Sequence, residues 1–245
     1  MTRVLEKFAK LKAQGYVRSL EIQFNRFIPP WIFRYSKGDI FEFDIEKLKS
    51  SASRLPADED IELLCLDGSS DAALRDELRQ FTWNSVPIET TANDFGYAIR
   101  DKRHPDKLLG GLWAGIGSFS ENNLGIRFKF TDKQAWLYCA FVDSNARGRG
   151  IYKRLISFVA ADLEQKGYTQ QLGIVQPWNK ISRAMHEKNS TGIVGRMSAM
   201  RIGPFVQIWK NGDIHVDRQL VTSPHVLPAA VSITGGFAMP KMCCQ

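Results

Sequence analysis

Two arginines alternate with two glycines at residues 147–150, between an apolar run and a segment with helical periodicity. Glycines let successive backbone N–H groups turn toward one ligand, and the start of a helix adds further donors and the positive end of its dipole. Arginine guanidinium groups bind phosphate oxygens through paired hydrogen bonds. The stretch "ARGRG" therefore predicts a phosphate-binding turn at the head of a helix, suited to a pyrophosphate.

Two better-known glycine loops do not fit this stretch. It lacks the Gly-Lys-Ser/Thr of a P-loop, and Lys153 stands where the GxGxxG motif needs its last glycine. RNA-binding Arg-Gly patches usually lie in disordered repeats, whereas this single copy sits between two patterned elements. A charged surface turn without a ligand is the remaining alternative, and we expect no nucleic-acid partner.

The elements around the turn have the pattern of a mixed α/β domain. Residues 135–142 are apolar on both faces, which predicts a strand in the interior of a sheet. Apolar residues at helical spacing from 151 to 163 predict a helix that Gly167 ends, and Asn179 is placed to begin a short helix over 179–189. Other strands are predicted at 61–66, 95–101, 107–119, 126–130, 171–177, 193–203 and 205–212.

The positive charge is concentrated at the N-terminus. The formal net charge is +7, and residues 1–38 hold eight Lys and Arg against two Glu, a net +6. Large apolar residues are interleaved with these basic ones, so one side of the segment either packs on the domain or meets an anionic membrane surface or an acidic carrier protein. A short strand, "IFEFDI", and a polar stretch typical of a linker follow. We expect an N-terminal extension over 1–56, a domain over 57–212 and a tail over 213–245.

Several classes of protein are disfavoured by composition. No apolar run approaches the ~20 residues of a membrane-spanning helix, and the first 20 residues lack the pattern of a secretory signal. The four cysteines do not have the spacing of a zinc site or a disulfide framework. We expect a cytoplasmic protein without a metal, with peripheral membrane attachment as the alternative.

The stretch "VDSNARGRGIYKRLI" resembles the cofactor motif of the GNAT superfamily of N-acetyltransferases. That motif reads Gln/Arg-x-x-Gly-x-Gly/Ala after a strand, with a valine five residues earlier. Here Val142 precedes Arg147 by five residues, and Gly150 falls on the central glycine. Tyr152 stands where the family has Gly or Ala, so its ring must turn away from the pyrophosphate or reach along it.

A second stretch, "VQPWNKISRAMHEK", is similar to the family's next block. Asn179 and Ser182 are in register with it, and His186 occupies the position of the family's helix tyrosine. The two blocks together extend the resemblance over about residues 57–212.

The resemblance implies a GNAT-like acyl-CoA N-acyltransferase fold of the α/β class, with an α+β mixed sheet. Two central parallel strands, 135–142 and 171–177, would splay apart around the pantetheine arm of acetyl-CoA. The backbone of Ala140, Phe141 and Val142 would pair with the pantetheine amides. The residues implied at the pyrophosphate and near the cofactor are Arg147, Gly148, Arg149, Gly150, Ile151, Tyr152, Asn179 and Ser182.

The same resemblance implies direct attack of a primary amine on the thioester of acetyl-CoA in a ternary complex. His186 would protonate the leaving thiolate. The glutamate that some family members use as a base is replaced by Trp136, which leaves water or a carboxylate such as Glu89 or Asp94. The alternatives are a CoA-binding module without catalysis and a membrane-associated acyltransferase with a longer acyl donor.

Overall fold

The computed structural model describes residues 28–29, 31–52, 55, 60–82 and 92–219. The part of the N-terminal extension up to residue 27, the base candidate Glu89 and most of the tail, from residue 220, lie outside these ranges. The elements in chain order are β1 (Phe33–Phe43), α1 (Ile45–Ala52), β2 (Ile61–Leu66), α2 (Ala72–Thr82), β3 (Phe95–Asp101), β4 (His104–Ile116), β5 (Ser118–Glu121), β6 (Ile126–Lys129), β7 (Gln134–Val142), α3 (Ile151–Gln165), β8 (Gln170–Val175), α4 (Lys180–Asn189), β9 (Ser190–Ile202), β10 (Phe205–Gly212) and β11 (His215–Arg218).

Eight of these strands form one mixed sheet in the order β10-β9-β1-β8-β7-β4-β3-β2. β7 and β8 are parallel, and the other neighbouring pairs of this sheet are antiparallel. A small second sheet has the order β11-β6-β5. The mixed α/β fold and the interior position of 135–142 are both confirmed.

The sheet is covered on both faces, and β7 shows how. Ala135 and Leu137 belong to a core with the buried face of α3, whereas Trp136 and Tyr138 belong to a core with α2 and the small sheet. Successive residues of a strand point to opposite faces, so the two cores lie on opposite sides of the sheet. α1 packs beside α3 through the fully buried Leu48.

β1 lies inside the sheet, between β8 and β9. The domain therefore includes residues on the N-terminal side of the boundary expected near residue 57. Ile40 and Phe41 are buried on opposite faces, which is typical of an inner strand. The polar stretch interpreted as a linker contains α1, whose first turn is capped by the Asp44 carboxylate at 3.0 Å from the Lys47 N–H. For residues 45–52 that interpretation was wrong, because the cap and one apolar face, centred on Leu48, are enough to form a short helix on a core.

The structure differs from the sequence-based expectations at two further places, the turn before β4 and the start of the C-terminal tail. β4 already begins at His104, within the "KRHPD" stretch that was expected to be a turn. Residues 215–218, placed in the tail, form β11, where Val216 is buried opposite Phe128. Within the described ranges, no helix is both long and apolar enough to cross a bilayer.

Candidate active site

The parallel strands β7 and β8 pair only at their first residues. The pairs are Gln134 with Gln170, Ala135 with Gln171 and Trp136 with Leu172. β7 nevertheless continues to Val142 along β4, and β8 continues to Val175 along β1. The two strands therefore separate toward their carboxyl ends. Ala140, Phe141 and Val142 lie on the β7 side of this opening, which we call the gap.

A β-bulge in β7 accompanies the separation. Gly111 is opposite Phe141 and Trp113 is opposite Tyr138, so three steps along β7 match two along β4. Cys139 within this interval has a φ of 53°, the left-handed region that non-glycine residues rarely adopt. Its side chain is buried, as expected for a small core residue. Bulges bend a strand and are frequent next to active sites.

The loop after β7 brings the chain to the start of α3. The Asp143 carboxylate accepts a hydrogen bond from the Asn145 N–H at 2.8 Å and caps a short 3₁₀ turn, Ser144–Ala146. Ala146 is buried and anchors the turn to Ile151, the buried first residue of α3. The intervening residues, 147–150, are thereby held over the helix N-terminus.

The Arg-Gly-Arg-Gly residues have the conformation that an anion site needs. Gly148 and Gly150 have φ values of 80° and 75°, and Gly150 is the N-cap of α3 without a side-chain capping bond. The first turn of α3 carries no acidic residue, and the side chains of Arg147 and Arg149 are exposed. A Cβ atom at Gly148 would meet no atom within 4 Å, so the backbone is open to a ligand there. Leu55 lies against Gly150, 3.3 Å from where a Cβ would be.

Tyr152 turns away from this loop. Its half-buried side chain packs against the core that contains Phe43, Leu137 and Leu155. The bulky residue at the family's small-residue position therefore serves the core and leaves the loop backbone uncovered.

His186 on α4 lies beside the gap. Its Nδ1 is 2.8 Å from the Ser182 carbonyl oxygen, which can only accept, so Nδ1 carries the proton in the neutral ring. The other nitrogen, Nε2, would be 3.3 Å from a Cβ at Gly173. The same Cβ position is 3.5 Å from the Leu137 carbonyl oxygen. Nε2 therefore lies at the edges of β7 and β8 just after their pairing ends.

The first turn of α4 holds His186 in place. The Asn179 side chain accepts a hydrogen bond from the Ser182 N–H at 3.2 Å, which confirms the predicted N-cap. Ser182 is buried, and its Oγ is 3.4 Å from His186 Nδ1. The two residues predicted near the cofactor thus meet at the carboxyl end of β8, where they orient the imidazole.

Burial lowers the pKa of His186 below its usual value, and the hydrogen bond to the Ser182 carbonyl raises it by a smaller amount. The ring is packed against Phe41 and Phe43 of β1, with centroid distances of 5.6 and 5.0 Å. The neutral imidazole therefore predominates at neutral pH, with Nε2 as a hydrogen-bond acceptor. The sequence could not show that His186 is buried, because the two phenylalanine rings that cover it come from a strand more than 140 positions away.

Trp136, at the position of the family's strand glutamate, is fully buried. Its ring stacks on Phe128 and Phe130, with centroids 4.7 and 5.4 Å away. The side chain is therefore part of the core of the small sheet and performs no proton transfer.

Asp94 is a buried carboxylate on the same face as Trp136. It accepts a 2.6 Å hydrogen bond from the Tyr138 hydroxyl, and burial raises the pKa of Asp94 to about 6. The Tyr138 bond partly offsets this effect. The described residues contain no group of three or more His, Cys, Asp or Glu side chains arranged to hold a metal ion.

The sequence model of the Acetyltransferase (GNAT) family matches residues 65–190, just over half of the chain. The chain therefore belongs to the GNAT acetyltransferase family, and its mixed sheet with an opened parallel pair is the fold of that family.

Solved structures that are similar to this chain have low sequence identity and TM-scores below 0.5. A GCN5-related N-acetyltransferase-like protein from Streptococcus suis is 14% identical, with a TM-score of 0.46 over 74% of this chain and 66% of that one. A Drosophila protein is 14% identical, with a TM-score of 0.41 over 79% and 55%. The aminoglycoside N-acetyltransferase AAC(6')-Iy in complex with CoA is 16% identical, with a TM-score of 0.42 over 57% and 93%. The chain thus spans less than two thirds of the length of the Streptococcus suis and Drosophila proteins. No curated protein matches it.

Replacing Asp94 with Asn should change stability in a pH-dependent way. Because the pKa is about 6 in the folded state and ~3.9 in an unfolded chain, the folded protein keeps this proton over a range in which the unfolded chain loses it. As pH rises from ~4 to ~6, the wild type should therefore lose up to roughly 3 kcal/mol of unfolding free energy relative to Asp94→Asn. Urea unfolding of both proteins across this range measures the difference.

The control is Asp217→Asn. Lys129, 2.6 Å away, holds the pKa of Asp217 below its usual value, so the wild type should show no such loss relative to this variant. If the difference in unfolding free energy between the wild type and Asp94→Asn stays constant with pH, the pKa of Asp94 is not raised in the folded protein.

Proposed function

We propose that the protein transfers an acetyl group from acetyl-CoA to a primary amine by direct attack in a ternary complex. The observation that carries the proposal is that β7 and β8 stop pairing part-way along. After this opening, β7 leads into the glycine loop at the N-terminus of α3. A parallel pair that opens in the middle of a sheet exposes backbone groups, and such groups need a partner. An extended chain with amides, such as pantetheine, supplies one.

Each part of acetyl-CoA would then have its own segment of the chain. The pantetheine amides would pair with the β7 backbone after the bulge, at Ala140, Phe141 and Val142. The pyrophosphate would accept hydrogen bonds from backbone N–H groups of residues 147–151. The two exposed arginines would add charge-assisted bonds to the same oxygens. Tyr152 would contribute through its packing on the core, and Asn179 and Ser182 would act through the cap that orients His186.

His186 would move the proton that the reaction releases. The amine nitrogen attacks the thioester carbonyl, and the C–S bond breaks as the amide forms. Nε2 of the neutral imidazole would take the proton from the attacking nitrogen and then deliver it to the leaving sulfur. The first proton transfer, from the attacking nitrogen to Nε2, starts from the neutral ring that burial favours. The second, from the ring to the leaving sulfur, is the acid role expected from the sequence. Water would deprotonate the free ammonium before attack.

Acetyl-CoA binding tests the loop directly. In the Arg147→Glu, Gly150→Asp double variant, two carboxylates would face the pyrophosphate, and the Kd for acetyl-CoA should rise by roughly 100-fold. Isothermal titration calorimetry gives the Kd. The Arg218→Glu, Gly203→Asp variant makes the same changes at an exposed arginine and at another glycine of positive φ, so it should bind like the wild type. Equal affinity of all three proteins, or no binding by the wild type, would overturn the proposal.

The pH dependence of turnover tests the order of proton transfers at His186. Because the neutral ring must act first, kcat should rise with pH through a pKa below the usual value for histidine and then level off near neutrality. His186→Gln should lose this rise and about 100-fold or more in kcat. His215→Gln, at an exposed histidine, is the matched control. A wild-type kcat that falls over the same interval would instead mean that the protonated ring acts first.

A further inference from the structure

A row of apolar side chains is exposed at one end of the large sheet. In antiparallel strands, residues that lie directly opposite each other point to the same face of the sheet. Phe33 of β1 lies opposite Ile202 of β9, which in turn lies opposite Phe205 of β10. Ile202 is 51% exposed and Phe205 is 77% exposed. The described elements therefore leave this row open toward the edge strand β10.

Three further apolar side chains are exposed close to this row. Trp209 points to the same face as Phe205, because it lies four residues further along β10. Trp31 and Ile32 immediately precede β1, and the Ile32 carbonyl oxygen accepts a hydrogen bond at 2.8 Å from the Gly203 N–H, in the turn between β9 and β10. We call the five exposed residues the apolar patch: Trp31, Ile32, Ile202, Phe205 and Trp209.

The apolar patch lies outside the core of the domain. On the opposite face of β10, Val206 and Ile208 pack on the core that contains the small sheet. An antiparallel strand with one face in water usually carries polar side chains on that face. Phe205 and Trp209 depart from this pattern, and a contiguous exposed apolar patch marks an interaction site. β10 therefore has apolar side chains for two surfaces, one of which is the core.

The charges on the same strands are positive. Residues 31–38 contain two Lys or Arg, residues 190–212 contain three, and neither stretch contains Asp or Glu. Lys37 is exposed on the same face as Trp209, because both lie opposite Ser198. The face that carries the apolar patch is thus positive along these two stretches.

Two arginines lie beside the exposed row. Arg218 of β11 is exposed and lines the same groove as Ile202 and Phe205. Arg201 lies at the turn after β9, where its side chain donates a hydrogen bond to the Gly203 carbonyl oxygen at 3.0 Å. A carbonyl group is neutral, so this bond leaves the positive charge of Arg201 in place.

One carboxylate lies further along the same face. Asp39 is two residues after Lys37 on β1 and is buried. It is paired with Arg183 at 2.6 Å and with Arg196 at 3.3 Å. Arg183 also pairs with Glu187 at 2.8 Å. These four charges cancel within their own cluster, and the charge of Lys37 remains.

An anionic lipid bilayer is a partner for both features of this surface. Its headgroups supply negative charge for the cations, and the boundary between headgroups and acyl chains takes up exposed aromatic and aliphatic side chains. Tryptophan is enriched at this boundary, because its ring has an apolar body and a polar N–H. The sequence that leads into the apolar patch has the same character, since residues 1–27 hold six Lys and Arg against two Glu.

Other partners satisfy only one of the two features. A second copy of this chain, placed face to face, would bring its own cations against these ones, and like charges repel. A nucleic acid would pair with the cations and stack on the aromatic rings, but it offers no apolar medium for Ile32 and Ile202. Exposed aliphatic and aromatic side chains among cations therefore favour lipid.

From these observations we infer that the protein docks on anionic lipid membranes through the apolar patch, with Lys37, Arg201 and Arg218 at the headgroups. The apolar side chains enter the boundary region, and the strands that carry them stay at the membrane surface. The inference goes beyond the proposed acetyl transfer and does not depend on it, because none of these residues belongs to the gap or to the glycine loop.

Vesicle co-sedimentation of the full chain tests the inference. One set of vesicles contains phosphatidylcholine alone, and the other contains equal parts of phosphatidylcholine and phosphatidylserine. The wild type should bind the anionic vesicles at least ~10-fold more tightly, because the cations contribute only when the lipid is negative. Equal binding to both sets, or binding to neither, would overturn the inference.

Phe205→Ser removes the most exposed ring of the apolar patch and should weaken binding to the anionic vesicles roughly 10-fold. Because this side chain lies largely in water, thermal unfolding should be unchanged. Leu63→Ser is the matched control, since it removes an exposed apolar side chain from β2, at the opposite edge of the sheet. If the two serine variants bind alike, the patch is not the docking surface.

Lys37→Glu tests the charges without removing apolar surface. It should weaken binding to the anionic vesicles roughly 10-fold and leave binding to the neutral ones unchanged. Lys102→Glu, at an exposed lysine in the turn between β3 and β4, makes the same change in net charge and should bind like the wild type. An equal loss in both variants would mean that net charge alone drives binding, which contradicts docking through this face.

The same proteins distinguish lipid from the other partners. If the wild type forms a dimer that Phe205→Ser does not form, and no vesicles bind, the patch joins two copies and the inference fails. It also fails if the wild type binds duplex DNA or RNA and not vesicles. Acetyl-CoA binding by Phe205→Ser should equal that of the wild type, so a failure of membrane docking and a failure of acetyl transfer are observed separately.

Discussion

The end of pairing between β7 and β8 after Trp136 and Leu172 is the constraint on which the rest of the site depends. Two parallel strands in the middle of a sheet normally satisfy each other's backbone groups along their whole length. Here that pairing ends early, and each strand stays in the sheet through its other neighbour, β7 through β4 and β8 through β1. The bulge at Cys139 bends β7 away from β8, and the departing strand leads directly into the glycine loop.

The outer neighbours explain why β1 belongs to the domain. Without β1, the carboxyl half of β8 would lack strand partners on both sides, since its pairing with β7 ends at Leu172. β1 also supplies Phe41 and Phe43, which bury His186 and keep its ring neutral. One strand from the N-terminal side thus fixes both the geometry of the gap and the protonation state of the imidazole beside it.

The sequence shows local features well and long-range ones poorly. The spacing of Val142 and Arg147, the cap at Asn179 and the end of α3 near Gly167 are encoded within a few residues, and the elements that they predict are confirmed. The position of β1 depends on pairing with strands about 150 residues away, which no local period records. The bulge falls on Cys139, where a glycine would have given a signal.

The candidate site also combines local features, which the sequence predicts, with long-range ones, which it does not. The loop residues follow from the motif, whereas the burial of His186 requires β1 to pack beside β8 and bring Phe41 and Phe43 to the ring. The packing of Tyr152 into the core could not be read from the motif either. It depends on Phe43, which reaches that core from β1.

Amide hydrogen exchange with and without CoA tests most directly whether the gap binds pantetheine. If it does, amides between Leu137 and Val142 should exchange at least ~10-fold more slowly in the complex, because the ligand supplies the missing partner. Amides of Trp113 and Ala114 on β4, opposite β7, should serve as unchanged references. Slower exchange confined to residues 147–151, with CoA bound and residues 137–142 unaffected, would contradict the claim that the opened strands hold the cofactor arm.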